Sequence, residues 1–221
     1  MNKAEFIKID FDTWKRAPYF TYYIEKIKCK YTLTHQLDIT RLRELAQQKR
    51  RKFFPTFLYA IMRAVNDNCE FRMSYDEEGN LGYWNYVVPA YTIFHKDDCT
   101  FSDLWSDYAA TYSVFYHGVV EDMKKYKEVK GIKVKANQPP NFCSISSIPW
   151  LSFSGFAQDT YEASDLLFPL IRFGKYYTNR EKQVLIPLAV FVNHAVADGY
   201  HTSKLINDIQ RYVLEADNWL T

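Results

Sequence analysis

Val184-Leu-Ile-Pro-Leu-Ala-Val-Phe-Val192 followed by Asn193-His194-Ala-Val-Ala-Asp198-Gly199-Tyr-His201 is the stretch around which this 221-residue chain is organised. Nine mostly aliphatic residues in a row read as a fully buried strand, and Leu205, Ile206, Ile209 and Val213 then fall on the apolar stripe of a helix. The chemistry sits at the joint. Asp198-Gly199 is a turn signal: glycine tolerates backbone angles that other residues resist, and aspartate accepts hydrogen bonds from the first amides of a helix. His194 therefore stands at the mouth of a buried strand, four residues before a carboxylate, with its imidazole held by packing. Imidazole, whose reference pKa lies near neutrality, is in such a place a candidate general base.

Composition narrows the class. With 48% hydrophobic residues the chain is able to bury a substantial core as one domain, residues 1–221. A formal charge of +2 gives no global field of the kind nucleic-acid binders carry, so a basic site must be local. Cys29, Cys69, Cys99 and Cys143 lie far apart with no Cys-x-x-Cys pair, which argues against a zinc ribbon or a disulfide framework and favours reduced thiols in the cytoplasm. The first ten residues interleave charges where a signal peptide needs an apolar run. Pro139 to Gln158 is uncharged, but three prolines make it a poor membrane helix, so a soluble protein is expected.

Working outward from the central stretch, Phe6, Ile7 and Ile9 read as a short strand. Asp12 or Thr13 then caps a helix carrying Trp14, Arg16, Phe20, Tyr22 and Tyr23, with Pro18 in its first turns. Cys29 to Leu37 alternates with the period of a half-buried strand, and Thr40 caps a helix ending in Lys49-Arg-Arg-Lys52. Pro55 opens the next helix, with Phe57, Leu58, Ile61, Met62 and Val65 as its core face. Phe71–Tyr75 and Leu81–Trp84 read as a hairpin, Val88–Phe94 as a strand, and Ser102 to about Lys125 as helical. A loop through Pro140 precedes strands at Phe142–Ser147, Leu151–Phe156 and Leu166–Phe173. Strands and helices mix without strict alternation, so an α+β fold, a mixed β-sheet with helices packed on one face, is expected.

The segment Phe191-Val-Asn-His194-Ala-Val-Ala-Asp198-Gly-Tyr-His-Thr resembles the His-x-x-x-Asp-Gly signature of the chloramphenicol acetyltransferase family. Asp12-Thr-Trp14-Lys-Arg16, Phe53-Phe-Pro55, Phe71-Arg-Met73, Tyr91 to His95, Thr100-Phe-Ser102, Pro149-Trp150 and Gly174-Lys175-Tyr176 resemble that family's landmarks in its order. The resemblance implies a two-layer α/β sandwich, assembled as a homotrimer with active sites between subunits. It implies acetyl transfer from acetyl-CoA, a co-substrate rather than a tightly bound cofactor, to a hydroxyl of chloramphenicol, and hence antibiotic resistance. On this pattern His194 is the base acting without an acyl-enzyme, and Ser146, upstream of Pro149-Trp150, donates to the oxyanion. Arg16 and Asp198 form the ion pair that orients the histidine loop. Lys52, Lys175 and Tyr176 fall at coenzyme-contacting positions, and Tyr22, Tyr23, Cys29, Phe101 and Phe156 at the apolar wall of the acceptor pocket.

Four positions depart from the pattern. Asn193 replaces the first of two adjacent histidines, leaving the catalytic one in place. Asp103 stands where the family has a small residue, Gln158 where it has leucine, and Arg172 where a threonine helps order a water. A carboxylate and a guanidinium in an apolar pocket are costly unless paired, so Asp103 and Arg172 are expected to face one another, and the acceptor is open to being more polar than chloramphenicol. Other readings are weaker. His194, Asp198 and His201 straddle a turn and lack a fourth ligand at metal spacing; no Gly-x-Ser-x-Gly elbow supports a hydrolase triad. The dihydrolipoyl acyltransferase cores share the histidine signature but carry lipoyl-type domains ahead of it. A trimeric coenzyme-binding module without turnover is the reading from a different class.

Overall fold

The computed structural model describes residues 3–158 and 166–221. Two sheets organise it. The smaller pairs β1 (Phe6–Lys8) with β4 (Leu81–Trp84) and β4 with β3 (Met73–Tyr75), all antiparallel. The larger has the order β2 (Lys30–Asp38), β10 (Val184–Asn193), β8 (Leu170–Gly174), β7 (Phe142–Ile148), β5 (Val88–His95), β6 (Thr100–Trp105), with β9 (Tyr177–Thr178) also on β10. It is mixed: β7 runs parallel to both neighbours, and the other pairs are antiparallel.

The central strand is as buried as its sequence demands, with only Leu185 partly exposed along β10. Pro187 is tolerated there because it sits between the β9 pairing, which ends at Leu185, and the β8 pairing, which begins at Leu188. Gly174 ends β8 against that proline. A Cβ on it would lie 2.8 Å from the Leu151 carbonyl oxygen, from Phe153 and from Pro187.

Helices α1 (Ala17–Thr21), α2 (Thr40–Gln48), α3 (Phe53–Asp67), α4 (Tyr112–Tyr126) and α5 (Gly199–Leu214) complete the layer. Helix α5 buries Leu205, Ile206, Ile209 and Val213, the expected stripe, and α3 buries Phe57, Leu58, Ile61, Met62 and Val65. Along β7, Cys143 and Ile145 are buried in this core while Ser144 and Ser146 alternate to the other face, the two-residue period of a pleated strand.

Several element readings need correction. The first helix does not start at Asp12: Arg16 occupies its N-cap position, Pro18 lies in the opening turn, and Tyr22–Ile27 continues it as a π-helix. Pro55 is the third residue of α3 rather than the first. Thr40 lies inside α2 instead of capping it; Asp38 accepts from the Thr40 amide and hydroxyl. Residues 102–105 belong to β6, because Ser102 and Leu104 point into the core with a strand's period before the helix begins at Tyr112. Leu151–Phe156 is extended loop, anchored by Phe153 O accepting from Gln36 Nε2. Of the strand expected over 166–173, only the part from Leu170 forms, extending to Gly174.

Candidate active site

The sheet brings the site residues to three places. At the end of β10 the His194 amide donates to the Cys29 carbonyl at 3.0 Å. Its ring lies flat on Tyr23, with centroids 3.8 Å apart and planes 13° apart, and Tyr31 meets it edge-on at 5.2 Å. Nδ1 is buried without a partner among the described residues, so Nε2 is the nitrogen turned outward. Tyr22 packs edge-on against Tyr23 and is half exposed. Thus Tyr23 and the Cys29 carbonyl touch the histidine, and Tyr22 stands behind Tyr23.

Four residues on, Asp198 caps α5, accepting from the Tyr200 and His201 amides. Arg16 Nη1 donates to its Oδ2 at 2.9 Å, and His201 Nδ1 lies 2.7 Å from its Oδ1. Burial works against charge on Asp198, but the hydrogen bonds from Arg16 and His201 outweigh it and hold the carboxyl well below the usual carboxylate range. The Arg16–Asp198 pair expected from sequence is present, and one carboxylate serves as both cap and ion-pair partner. His201 is a further partner that the sequence reading missed, with Glu70 Oε1 3.7 Å from its other nitrogen.

The second place is a cleft of about 340 Å³ on the sheet face opposite the helices. Phe101, Asp103, Ser146 and Arg172 line it, together with Thr92 and Ser144. Strand register puts Arg172 beside Ser146 and Thr92 beside Asp103. The Thr92 and Ser146 hydroxyls are hydrogen-bonded at 2.9 Å. The expectation that Asp103 and Arg172 pair is overturned: no ion pair joins them among the described residues, since they stand three strands apart, about 14 Å between backbones, with Ser146 and Thr92 between. Arg172 Nη1 instead donates to the Ile171 carbonyl at 2.9 Å and to the Ser144 carbonyl at 3.2 Å. Burial raises the Asp103 carboxyl, with Lys133 and Arg172 opposing it. Burial lowers Arg172, with Cys143 and Asp103 opposing. Phe156 does not line this cleft; its amide donates to Thr34 Oγ1 on β2 at 3.4 Å, its ring meets Phe153 at 5.5 Å, and Gln158 is half-buried two residues on.

The third place is the α2–α3 joint. Lys52 is the N-cap of α3, and Phe53 next to it meets Tyr176 edge-on at 5.6 Å. Lys175 adjoins Tyr176, and Arg43, which sequence reasoning passed over, lies 4.9 Å over the Tyr176 ring. Charge and an aromatic face are thus combined on an exposed surface, suited to phosphates and a base.

His194 and Ser146 are not neighbours within one chain. Register aligns Ser146 with Arg172 and Arg172 with Ala189 on β10. Ala189 is five residues before His194, so the two are separated by about 17 Å along the strand and about 10 Å across the sheet. Among the described residues no group of three or more His, Cys, Asp or Glu side chains is placed to hold a metal ion, and no helix is long and apolar enough to cross a membrane.

This architecture is shared with a solved chloramphenicol acetyltransferase, at a TM-score of 0.83 and 21% identity over 95% of this chain and all of that one. It is also shared with the cubic core of the pyruvate dehydrogenase multienzyme complex, at 0.66 and 16% identity over 87% and 84% of the two chains. The fold is that of a CoA-dependent acyltransferase. At the level of sequence, residues 4–210 match the family described as "CAT: Chloramphenicol acetyltransferase", and a chloramphenicol acetyltransferase of Clostridium butyricum is 41% identical over 96% of both chains. The chain belongs to the chloramphenicol acetyltransferase family.

Proposed function

We propose that this chain, acting as a single domain over residues 1–221, transfers the acetyl group of acetyl-CoA to a hydroxyl of chloramphenicol and so confers resistance to it. The observation that carries the reading is the imidazole of His194, stacked on Tyr23 at the end of a buried strand with Nε2 outward and its loop tied down through Asp198 and Arg16. In the reaction Nε2 accepts the hydroxyl proton as the oxygen attacks the thioester carbonyl. The Ser146 hydroxyl, held by Thr92, donates to the oxyanion that forms. Collapse breaks the carbon–sulfur bond, and the departing thiolate takes the proton from the imidazolium. No acyl-enzyme is needed, because both substrates are bound together.

The separation of His194 from Ser146 within a chain supports a site completed between subunits, His194 of one copy over the Ser146 cleft of another, in a homotrimer. Phe94, Phe101, Trp150 and Leu151 leave large apolar surface uncovered beside that cleft, as a subunit contact requires. Tyr22, Tyr23, Cys29, Phe101 and Phe156 form the apolar wall of the acceptor site, with Asp103, Gln158 and Arg172 as its polar positions. Lys52, Lys175 and Tyr176 hold acetyl-CoA, a soluble co-substrate in a cytoplasmic enzyme. A more polar hydroxyl acceptor is the second reading, favoured by Asp103 in the cleft, which forms no ion pair among the described residues.

Thiol release from acetyl-CoA by the purified protein with chloramphenicol tests this. Release that needs chloramphenicol and vanishes in His194→Ala is expected; coenzyme binding without release would sink the reading.

A further inference from the structure

Asp198 holds Arg16 by one oxygen only. A single guanidinium nitrogen, Nη1, meets Oδ2 at 2.9 Å, while Arg16 Nε is buried with no partner among the described residues. Arginine and carboxylate pair best through two parallel hydrogen bonds, and a carboxylate free to turn would offer its second oxygen to the guanidinium. This carboxylate is not free to turn. Its Oδ1 takes the Tyr200 amide at 3.0 Å, the His201 amide at 3.3 Å and, closest of all, His201 Nδ1 at 2.7 Å. The Asp198 carboxyl, held well below the usual carboxylate range, is ionised and has no hydrogen to give, so the hydrogen of that shortest bond sits on Nδ1. The two amides come with any helix start, whereas the imidazole is a choice of side chain. It is itself well seated, 18% exposed with Nε2 3.7 Å from Glu70 Oε1.

The orientation of Asp198 matters because two supports of His194 meet there. Ala195, Val196 and Ala197, all fully buried, lead from His194 to Asp198, with the Val196 amide on the Asn193 carbonyl at 3.1 Å. On the other side, Arg16 opens the helix that continues to Tyr23, whose ring lies flat on the His194 imidazole. Turn, carboxylate, guanidinium and stacked tyrosine thus close a circuit of contacts around His194, and the Asp198 carboxylate is its junction. Resting on the function proposed above, with His194 as base, we propose that His201 is a positioning residue of the reaction: its Nδ1–H fixes the Asp198 carboxylate and through it aligns His194 with Tyr23. A histidine that only extended the helix cap would change stability and leave the His194 imidazole where it is.

Three variants of the intact protein separate the two nitrogens. In His201→Asn the side-chain amide nitrogen comes to the place of Nδ1 and still donates to Asp198. In His201→Gln it comes to the place of Nε2 and does not, and His201→Ala has neither. For acetyl transfer from acetyl-CoA to chloramphenicol, kcat is expected to fall about tenfold or more in His201→Gln and His201→Ala at unchanged KM, as for a misplaced base, and to stay within about threefold of wild type in His201→Asn. The proton NMR signal of the His194 Cε1–H, shifted by the face of Tyr23, is expected to move in His201→Gln and His201→Ala and to stay in His201→Asn, a readout that needs no turnover. Wild type carries a check of its own should a variant not fold: nitrogen NMR of the neutral His201 ring is expected to place the hydrogen on Nδ1. A hydrogen on Nε2, a His201→Gln protein as active as wild type, or a His201→Asn protein as impaired as His201→Ala overturns the inference. A wild type without turnover overturns the acceptor reading instead, and the His194 signal then upholds or overturns the positioning by itself.

Discussion

Replacing Asp198 separates the two duties of one carboxylate. Its Oδ1 caps α5 and its Oδ2 takes the Arg16 guanidinium, whose side chain is 19% exposed. Asp198→Ala removes the cap, at a cost of about 1 kcal/mol, and leaves a largely buried guanidinium without its partner, about 1–2 kcal/mol more. The sum, about 2–3 kcal/mol, lowers the melting temperature of a chain this size by roughly 5–10 °C. Asp198→Asn keeps a good capping oxygen and loses only the charge, so it falls by less than half as much. The loop bearing His194 is expected to loosen in both, and kcat to fall, by up to about a hundredfold in the alanine variant through misplacement of the proposed base. The acid limb follows from the sign of the shift. The folded carboxyl titrates below its unfolded value of about 3.9, so its contribution is complete above that pH and is lost as pH falls through the folded-state value. Calorimetric scans from neutrality down to about pH 3 should therefore show the wild type's advantage over Asp198→Asn shrinking as the solution becomes more acid. Equal melting temperatures for wild type and both variants at neutral pH would refute the reasoning.

Other perturbations address the frame and the coenzyme. Gly174→Ala places a Cβ 2.8 Å from three neighbours, one of them a backbone carbonyl oxygen; a loss of about 1–3 kcal/mol is expected in denaturant unfolding, and no loss would mean that the β8–β9 bend is not as tight as described. Lys52→Ala and Lys175→Ala, both exposed, should each raise KM for acetyl-CoA about two- to fivefold, as for solvent-screened ion pairs, without changing kcat. A fall in kcat at constant KM would place them elsewhere in the mechanism.

The sequence made local features legible and left pairing hidden. The β10–α5 joint was readable because a run of aliphatic residues, an Asp-Gly turn and a helical stripe follow one another directly, and the structure has each within a residue or two. The start of α1 was misread because Arg16 and Trp14 look helical by spacing while Pro18 sets where the first turn forms. Residues 102–105 were misread as helix because Leu104 and Trp105 fit either period over so short a span. The Asp103–Arg172 pairing failed for another reason: distance between strands depends on the order of β8, β7, β5 and β6, which no local pattern encodes. The same ignorance of order hid Thr92 as the partner of Ser146 and the gap between Ser146 and His194.

That gap supplies the most direct measurement. His194→Ala and Ser146→Ala chains, each inactive or nearly so, are unfolded together, refolded as a mixture and assayed for chloramphenicol-dependent thiol release. If each site takes His194 from one subunit and Ser146 from another, mixed trimers contain sites with both residues intact, and about a quarter of wild-type activity returns from an equal mixture under random assembly. A mixture no more active than the two separate variants, from trimers shown to have exchanged subunits, would contradict the account.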